Sequence, residues 1–307
     1  MTIGARARAL HLSETTLAAV LTKLFGPEAV PWRETPCGGG SISEASVLEL
    51  PRDQRVFLKR NCTASASFFV SEAMGLFALR EVDIAGIRVP QPFAVFTEHR
   101  CACFLMEYIE TAAPLQSSSE KFGRALAQLH RARRAPQCGF PQDNHIGATK
   151  QVNTWHDDWY AFFGEQRLRI QAQWAWENQR DDGTLHRAVE RVVSRLPELL
   201  PPLDPGGSSL LHGDLWAGNV LFLRDGTTAL IDPAVYYGHR EADVAMTGLF
   251  GGFSHDFYRA YQEEWPLEPG FDERRDIYNL YHLLNHLNLF GSSYRRSCDA
   301  IARRFGS

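Results

Sequence analysis

Apolar and polar residues alternate along the first third of the chain, which predicts a small β-rich region. SISEASVLEL (41–50) and RVFLKRN (55–61) both show this two-residue period, and the turn-forming PRDQ lies between them. VPQPFAVFT (89–97) and CACFLMEYI (101–109) predict a second hairpin that turns at the EHR between them. We therefore expect a small, mostly antiparallel sheet.

A helical period replaces this alternation in one segment of the region and in most of the chain that follows. Phe69, Ala73 and Leu76 of ASFFVSEAMGLFALREV fall on one helical face. Ser117 and Glu120 resemble a capping box at the start of the next helix. A long polar loop follows over 135–155, and short strands are expected at VLFL and TALID. Further helices are expected over 155–178, 183–198, 239–249, 254–264, 272–290 and 295–305, with Gly291 as a C-cap.

This order of elements predicts an α+β protein with two lobes. The N-terminal lobe, residues 1–107, is a small antiparallel sheet with one helix, and the C-terminal lobe, residues 108–307, is larger and mainly helical. The cleft between two such lobes is the usual place for a ligand.

The bulk composition excludes several classes of protein. The chain has 307 residues, 44 % hydrophobic and 22 % charged, which is ordinary for a soluble globular protein. A net charge of −4 gives no sign of a nucleic-acid surface, and no apolar run reaches the roughly 20 residues that span a bilayer. The start of the chain lacks the apolar core of a signal peptide, so a cytoplasmic location is expected. Six cysteines without a CxxC pair predict free thiols in a reducing compartment: Cys37, Cys62, Cys101, Cys103, Cys138 and Cys298.

Two features of the predicted N-terminal lobe suit phosphate binding. The run Gly38-Gly39-Gly40, followed by Ser41, lies at a turn between strands, where backbone N–H groups can approach phosphate oxygens. Taken alone, this run is better explained as a flexible hairpin turn, and it is not a Walker P-loop. Lys59 shares a strand face with Phe57, and an ion pair with Glu72 on the following helix would hold its ammonium toward phosphates. Two solvated surface charges are the alternative.

The junction between the lobes carries the sequence MEYIE (106–110). Backbone groups of such a connecting strand can bond the edge of an adenine, with Met106, Glu107 and Ile109 as its neighbours. An ordinary core strand explains the same residues equally well.

The third feature is a set of oxygen donors around two short strands. Asp214 lies in the apolar stretch LLHGDLWAGNVLF, Asn219 follows in the same stretch, and Asp232 comes directly after TALI. A phosphotransferase needs an acid that accepts the proton of the attacking hydroxyl and oxygen ligands for Mg²⁺. Asp214 suits the first role, Asn219 and Asp232 suit the second, and His212 is expected to be structural.

Together these motifs occur in the order of the eukaryotic-like kinase fold, and HGDLWAGN resembles the fructosamine-3-kinase (ketosamine-3-kinase) family. GGGSISEA, FLKRN, DPAVYYGHREADVAMTGLFGGF and YHLLNHLNLFG are also similar to that family, within the wider aminoglycoside-phosphotransferase-like group. The resemblance implies ATP-dependent phosphorylation of the 3-hydroxyl of ketosamines, free or on protein lysines, and hence deglycation. It implies Asp214 as the base, Asn219 and Asp232 as Mg²⁺ ligands, and Lys59, held by Glu72, as the phosphate anchor.

The remaining expectations concern the acceptor side and the rival functions. We expect Trp216 to lie against a sugar and His286 to donate a hydrogen bond to it, with packing as the alternative for both. Ser41 stands where some members of the family carry a redox cysteine, so thiol control is not implied, although Cys37 lies nearby.

The rivals are an aminoglycoside or choline kinase of the same fold and a non-catalytic nucleotide-binding protein. A monomer or weak dimer is expected.

Overall fold

The computed structural model describes residues 2–38 and 42–307. Up to residue 107, the helices are α1 (Ile3–Ala9), α2 (Leu17–Phe25) and α3 (Ala66–Arg80), and the strands are β1 (His11–Glu14), β2 (Arg33–Cys37), β3 (Glu44–Leu50), β4 (Gln54–Asn61), β5 (Ile87–Arg88), β6 (Pro92–Glu98) and β7 (Cys101–Glu107).

Helices dominate the chain after residue 107. They are α4 (Ser118–Ala132), α5 (Trp159–Phe163), α6 (Ile170–Glu177), α7 (Thr184–Leu199), α8 (Glu241–Leu249), α9 (His255–Glu264), α10 (Phe271–Phe290) and α11 (Arg295–Phe305). The short strands between them are β8 (Arg134–Ala135), β9 (Asn144–Ile146), β10 (Thr149–Gln151), β11 (Ser208–Leu211), β12 (Val220–Phe222), β13 (Thr228–Leu230) and β14 (Tyr236–Gly238).

A six-stranded sheet with the order β1-β6-β7-β4-β3-β2 forms the N-terminal part. All of its pairs are antiparallel except β1 with β6, so the predicted mostly antiparallel sheet is confirmed. The prediction of a single helix in this part is wrong, because α1 and α2, which lie on either side of β1 in sequence, are present besides α3. Their short segments lack a long amphipathic period: α1 is fixed by the Thr2 cap and the buried Ala7, and α2 by the Thr16 cap and a small apolar face.

The helices of the C-terminal part lie close to where the periodicity places them, with two local corrections. The side chain of Ser117 does not cap α4; instead Ser118 Oγ accepts a hydrogen bond from Leu115 N, at 3.0 Å. The helix expected over 155–178 is shorter and contains a π-helical segment, Gly164–Arg169, between α5 and α6. Gly291 ends α10 as predicted, with its φ of 95° in the left-handed region.

The apolar core confirms a two-lobed arrangement. One cluster lies between α2 and the outer face of the N-terminal sheet, and includes Leu21, Leu48 and Leu58. A much larger cluster joins α3 to the helical part. Helix α3 therefore packs against both lobes, while the division of the chain after residue 107 stays a prediction.

Two of the six cysteines form a disulfide, so the prediction of six free thiols is wrong for this pair. Asn61 of β4 and Ala102 of β7 are partners in the ladder. Cys62 follows Asn61 and Cys101 precedes Ala102, so the two cysteines lie next to each other and are bonded. They are 39 residues apart in sequence, so their proximity depends on the strand register. None of the helices described is long and apolar enough to cross a membrane.

Candidate active site

Lys59 joins the two lobes through a pair of carboxylates. Its Nζ lies 2.6 Å from Glu72 Oε1 on α3 and 2.5 Å from Asp232 Oδ1, after β13. Burial acts to lower the pKa of Lys59, but attraction to Asp232 and Glu72 outweighs it and holds the pKa above its usual value. The ammonium therefore stays charged, and the expected Lys59–Glu72 ion pair is present with Asp232 as a further partner.

Asp214 and Asn219 lie on one short turn between β11 and β12. Asn219 Nδ2 donates to the backbone oxygen of Asp214 at 2.9 Å and to its Oδ2 at 3.2 Å. Burial, followed by the negative charge of Asp232, raises the pKa of Asp214 to about 7. The backbone oxygen of Asn219 accepts from Ile231 N at 3.1 Å, which ties this turn to the residue before Asp232.

Asp232 has a backbone conformation that few non-glycine residues adopt. Its φ is +53°, in the left-handed region, and its side chain is 48 % exposed although it bonds a buried lysine. Strain of this kind persists where the surrounding contacts enforce it, and it concentrates at functional sites.

Asp243 is a residue of the site that the sequence analysis missed. Its buried carboxylate accepts hydrogen bonds from His212 N at 2.7 Å and Gly213 N at 2.9 Å, and lies 3.2 Å from His130 Nε2. It therefore holds the backbone immediately before Asp214. An acid inside the apolar helix ADVAMT was the available signal, because a buried carboxylate needs partners.

His212 makes the structural contacts that were expected of it. Its Nε2 lies 2.9 Å from the backbone oxygen of Ile231, and its Nδ1 accepts from Asp214 N at 3.3 Å. Because the Ile231 oxygen can only accept, Nε2 carries the proton and the ring is the neutral tautomer that both bonds require. Burial lowers the pKa of His212, which agrees with that state.

Ile109 and Met106, which were predicted to lie beside an adenine, have different surroundings. Ile109 packs with Leu223 and Ala229 in a small separate apolar cluster beside β12 and β13. Met106 is buried in the main core and lies within the sheet, opposite Phe57 of β4 and Pro92 of β6, so its part in nucleotide binding stays a prediction.

The side chain of Glu107 is engaged by neighbouring residues of the N-terminal lobe, and the part of this residue in nucleotide binding stays a prediction. Its carboxylate bonds Arg88 and accepts from Gln91 N at 3.0 Å, and its own N–H donates to Gln91 O at 2.8 Å. These contacts hold β7 to the segment before β6.

The glycine run of the predicted phosphate loop lies mostly outside the described residues. This applies to Gly39, Gly40 and Ser41. The segment resumes at Ile42, whose backbone oxygen accepts from Asn61 Nδ2 at 3.1 Å. The strand that carries Lys59 therefore holds the end of that loop.

Trp216 and His286 lie on one aromatic surface beside the turn that bears Asp214. The Phe250 ring contacts both, with centroids at 6.2 Å from Trp216 and 5.0 Å from His286. The prediction that His286 donates to a sugar is corrected. Its Nδ1 bonds His282 O at 2.8 Å and must carry the proton, and since burial lowers its pKa, the ring is neutral and Nε2 is an acceptor.

Nearly the whole chain, including this arrangement of residues, matches a known protein family. The family model described as "Fructosamine kinase" matches residues 13–305, nearly the whole chain. The chain belongs to the fructosamine kinase family. It is therefore a kinase, a phosphotransferase whose acceptor is an alcohol group.

Curated relatives agree with this assignment. A "probable ketoamine kinase" of Vibrio parahaemolyticus is 42 % identical over 258 residues, which are 83 % of this chain and 86 % of the relative. The chloroplastic "protein-ribulosamine 3-kinase" of Oryza sativa subsp. indica is 40 % identical over 285 residues, or 91 % of this chain and 78 % of the relative.

Solved structures extend the agreement to the fold. A "putative fructosamine-3-kinase" of Haemophilus somnus superposes with a TM-score of 0.84 at 29 % identity, covering 94 % of this chain and 96 % of that one. The corresponding protein of Thermobifida fusca gives 0.81 at 34 % identity, covering 94 % and 97 %. An aminoglycoside phosphotransferase of Alicyclobacillus acidocaldarius, at 0.51 and 13 % identity, shares the fold of this fructosamine kinase.

Proposed function

We propose that this fructosamine kinase transfers the γ-phosphoryl group of ATP to the 3-hydroxyl of a ketosamine, with Asp214 as the proton acceptor. The observation that carries the proposal is the contact of Lys59 with Asp232 beside a partly buried Asp214 whose pKa is raised to about 7. A general base works best when its pKa lies near the operating pH.

Each residue has a distinct task in the proposed reaction. The 3-hydroxyl oxygen attacks the γ-phosphorus, the bond from that phosphorus to the β,γ-bridging oxygen breaks, and ADP leaves. Asp214 Oδ takes the hydroxyl proton, and Asn219 Nδ2 orients the carboxylate through its bond to Oδ2. Lys59, held by Glu72, presents its ammonium to the phosphates.

Mg²⁺ fits the donors on this side of the cleft. Asn219 Nδ2 is engaged by Asp214, so its Oδ1 is the atom left for a cation, and the half-exposed Asp232 supplies a carboxylate oxygen. When bound, Mg²⁺ neutralises charge on the phosphates. Among the described residues, no group of three or more His, Cys, Asp or Glu side chains that could hold a metal ion is found, and the proposed cation would be held by one carboxylate, one amide and the nucleotide.

The finer features of the function are part of the same proposal. The rice relative is named for protein-bound ribulosamine, and we propose that this chain acts on ribulosamines or fructosamines on lysine, which would make deglycation its role. Action in the cytoplasm and a monomer or weak dimer stay predictions. Kinases of aminoglycosides or choline are less well supported, because the matching family model and the relatives at about 40 % identity are named for fructosamine, ketoamine or ribulosamine kinases.

The test is ATP consumption with Mg²⁺ against ribuloselysine, fructoselysine, kanamycin and choline, with the product mapped by NMR. Phosphate on the sugar O3 is the expected result, and the two ketosamines are then ranked by kcat/KM. Turnover with kanamycin or choline alone would refute the acceptor while leaving the kinase chemistry intact. The Asp214→Asn variant is the matched control, since it keeps the side-chain shape and loses the proton acceptor.

A further inference from the structure

Three large aromatic side chains are exposed side by side next to the catalytic turn. Trp216, Phe250 and Phe290 are 39 %, 43 % and 50 % exposed, and His286 joins them, with ring centroids 5.0 Å from Phe250 and 5.3 Å from Phe290. We call Trp216, Phe250, His286 and Phe290 the aromatic strip. A contiguous exposed apolar surface of this kind usually marks a binding site.

The strip starts at the catalytic turn because two glycines allow close approach there. A Cβ on Gly218 would lie 2.2 Å from the Trp216 ring, so the absence of a side chain lets the indole fold over this turn. A Cβ on Gly252 would lie 2.5 Å from the Ala217 Cβ, so the loop that carries Phe250 abuts the same turn. The strip is therefore continuous with the site of Asp214.

The far end of the strip is the last turn of α10. His286 and Phe290 are four residues apart and share a helical face, and Phe290 is the last residue of α10, before the Gly291 cap. None of the four members of the strip is charged, since burial lowers the pKa of His286, and its Nδ1–H donates to His282 O. The π-faces and the free Nε2 of His286 attract a cation, while the ring surfaces accept hydrocarbon.

A ketosamine carries these two chemical groups in a fixed order. Its amine nitrogen is a secondary ammonium on C1, two carbons from the reacting C3, and a hydrocarbon stem follows on the far side of that nitrogen. A lysine stem of four carbons spans roughly 5 Å when extended, which matches the 5.3 Å step from His286 to Phe290. When the 3-hydroxyl lies at Asp214, the hydrocarbon stem must extend away from the catalytic turn. The aromatic strip is the apolar surface that begins at this turn.

We infer that the aromatic strip binds the amine substituent of the ketosamine, with the ammonium near Trp216, Phe250 and His286 and the hydrocarbon stem on Phe250 and Phe290. This inference rests on the proposed function and adds a specificity: adducts of long, uncharged alkylamines, as on lysine Nε, are preferred to adducts of short amines. Phe290 is the residue that distinguishes them, because it lies farthest along the strip.

The test compares the ribulose adducts of methylamine and hexylamine, which share sugar and ammonium and differ only in the stem. Burying one methylene is worth up to about fourfold in affinity, so five methylenes on a half-open surface should raise kcat/KM about tenfold. Phe290→Ala should remove most of this preference and leave kcat/KM for the methyl adduct nearly unchanged. Trp176→Ala is the matched control, because Trp176 is also 50 % exposed but packs on His186, outside the strip.

Calorimetric binding of both adducts in the presence of ADP separates this inference from the proposed function. Tighter binding of the hexyl adduct that depends on Phe290, without turnover, would keep the strip and refute the phosphorylation of ketosamines. Turnover of both adducts at equal kcat/KM would refute the strip and keep the kinase function. A Phe290→Ala variant that loses both adducts equally, or no binding and no turnover at all, would also overturn the inference.

Discussion

Replacing Asp243 with asparagine tests whether its carboxylate positions the catalytic turn. The native carboxylate accepts from two backbone donors, His212 N and Gly213 N, and contacts His130 Nε2. An asparagine offers one oxygen, so its NH₂ group must face one of the two backbone N–H groups. One charge-assisted bond is lost and one buried donor is left without an acceptor.

The magnitude follows from those two losses. A hydrogen bond to a charged acceptor contributes about 2 kcal/mol. Together with the cost of the buried N–H that lacks an acceptor, its loss should lower the free energy of unfolding by about 3 kcal/mol. For a chain of this size, that is a drop in Tm of about 6–12 °C. The backbone that carries Asp214 is then released, and a displacement near 1 Å at the reacting group lowers kcat on the order of a hundredfold.

Asp181→Asn provides a matched control for stability without catalysis. Asp181 is also a buried carboxylate that accepts from two backbone N–H groups, of Leu185 at 3.1 Å and His186 at 2.8 Å, and pairs with Arg295 at 2.9 Å. Both variants should lower Tm by similar amounts in thermal unfolding followed by circular dichroism. Only Asp243→Asn should lower kcat, measured well below both transitions. A folded Asp243→Asn protein with the kcat of the original chain would refute the positioning role.

Three further outcomes are expected. Because burial and then the charge of Asp232 raise the pKa of Asp214 to about 7 and the base must be deprotonated, kcat/KM should fall as the pH drops below about 7; a profile that stays flat into the acid range contradicts this. Trp216→Ala should raise KM for the sugar at least tenfold more than KM for ATP, and equal effects in steady-state kinetics would make Trp216 structural. The Cys62–Cys101 bond closes a segment of 39 residues, so reduction should cost about 4 kcal/mol on a chain-entropy basis; dithiothreitol should then lower Tm of the original chain and leave Tm of Cys62→Ser unchanged.

Sequence periodicity predicted most elements because their local and tertiary preferences agree. The two hairpins and the helices after residue 239 lie close to their predicted bounds, and α3 forms where it was predicted although it is buried on nearly every side. Helix α1, IGARARA, has one buried residue and no apolar stripe, so it forms through the Thr2 cap and contact with α3. Such an element leaves no periodic pattern in the sequence.

The sequence predicted those residues of the candidate site whose type and spacing indicate a chemical role. Lys59, Glu72, Asp214, Asn219 and Asp232 are grouped as expected, because each is a charged or amide residue in an apolar context. Asp243 was not predicted: its place in an apolar helix signals a buried acid, but no sequence pattern shows that its partners are the backbone N–H groups of His212 and Gly213. The contacts of Glu107 and the tautomer of His286 depend equally on atoms contributed by neighbouring segments.

Gly75 destabilises α3 locally but allows the helix to pack closely against the active site. A glycine inside a helix is about 1 kcal/mol less favourable than alanine, yet Gly75 lies in the interior of α3. A Cβ at this position would come within 3.1 Å of Pro233 Cγ and 3.4 Å of Val235 Cγ2. Pro233 directly follows Asp232, and Glu72 lies one helical turn before Gly75. The missing side chain therefore lets α3 approach the Asp-Pro segment closely, which brings Glu72 and Asp232 to the same lysine.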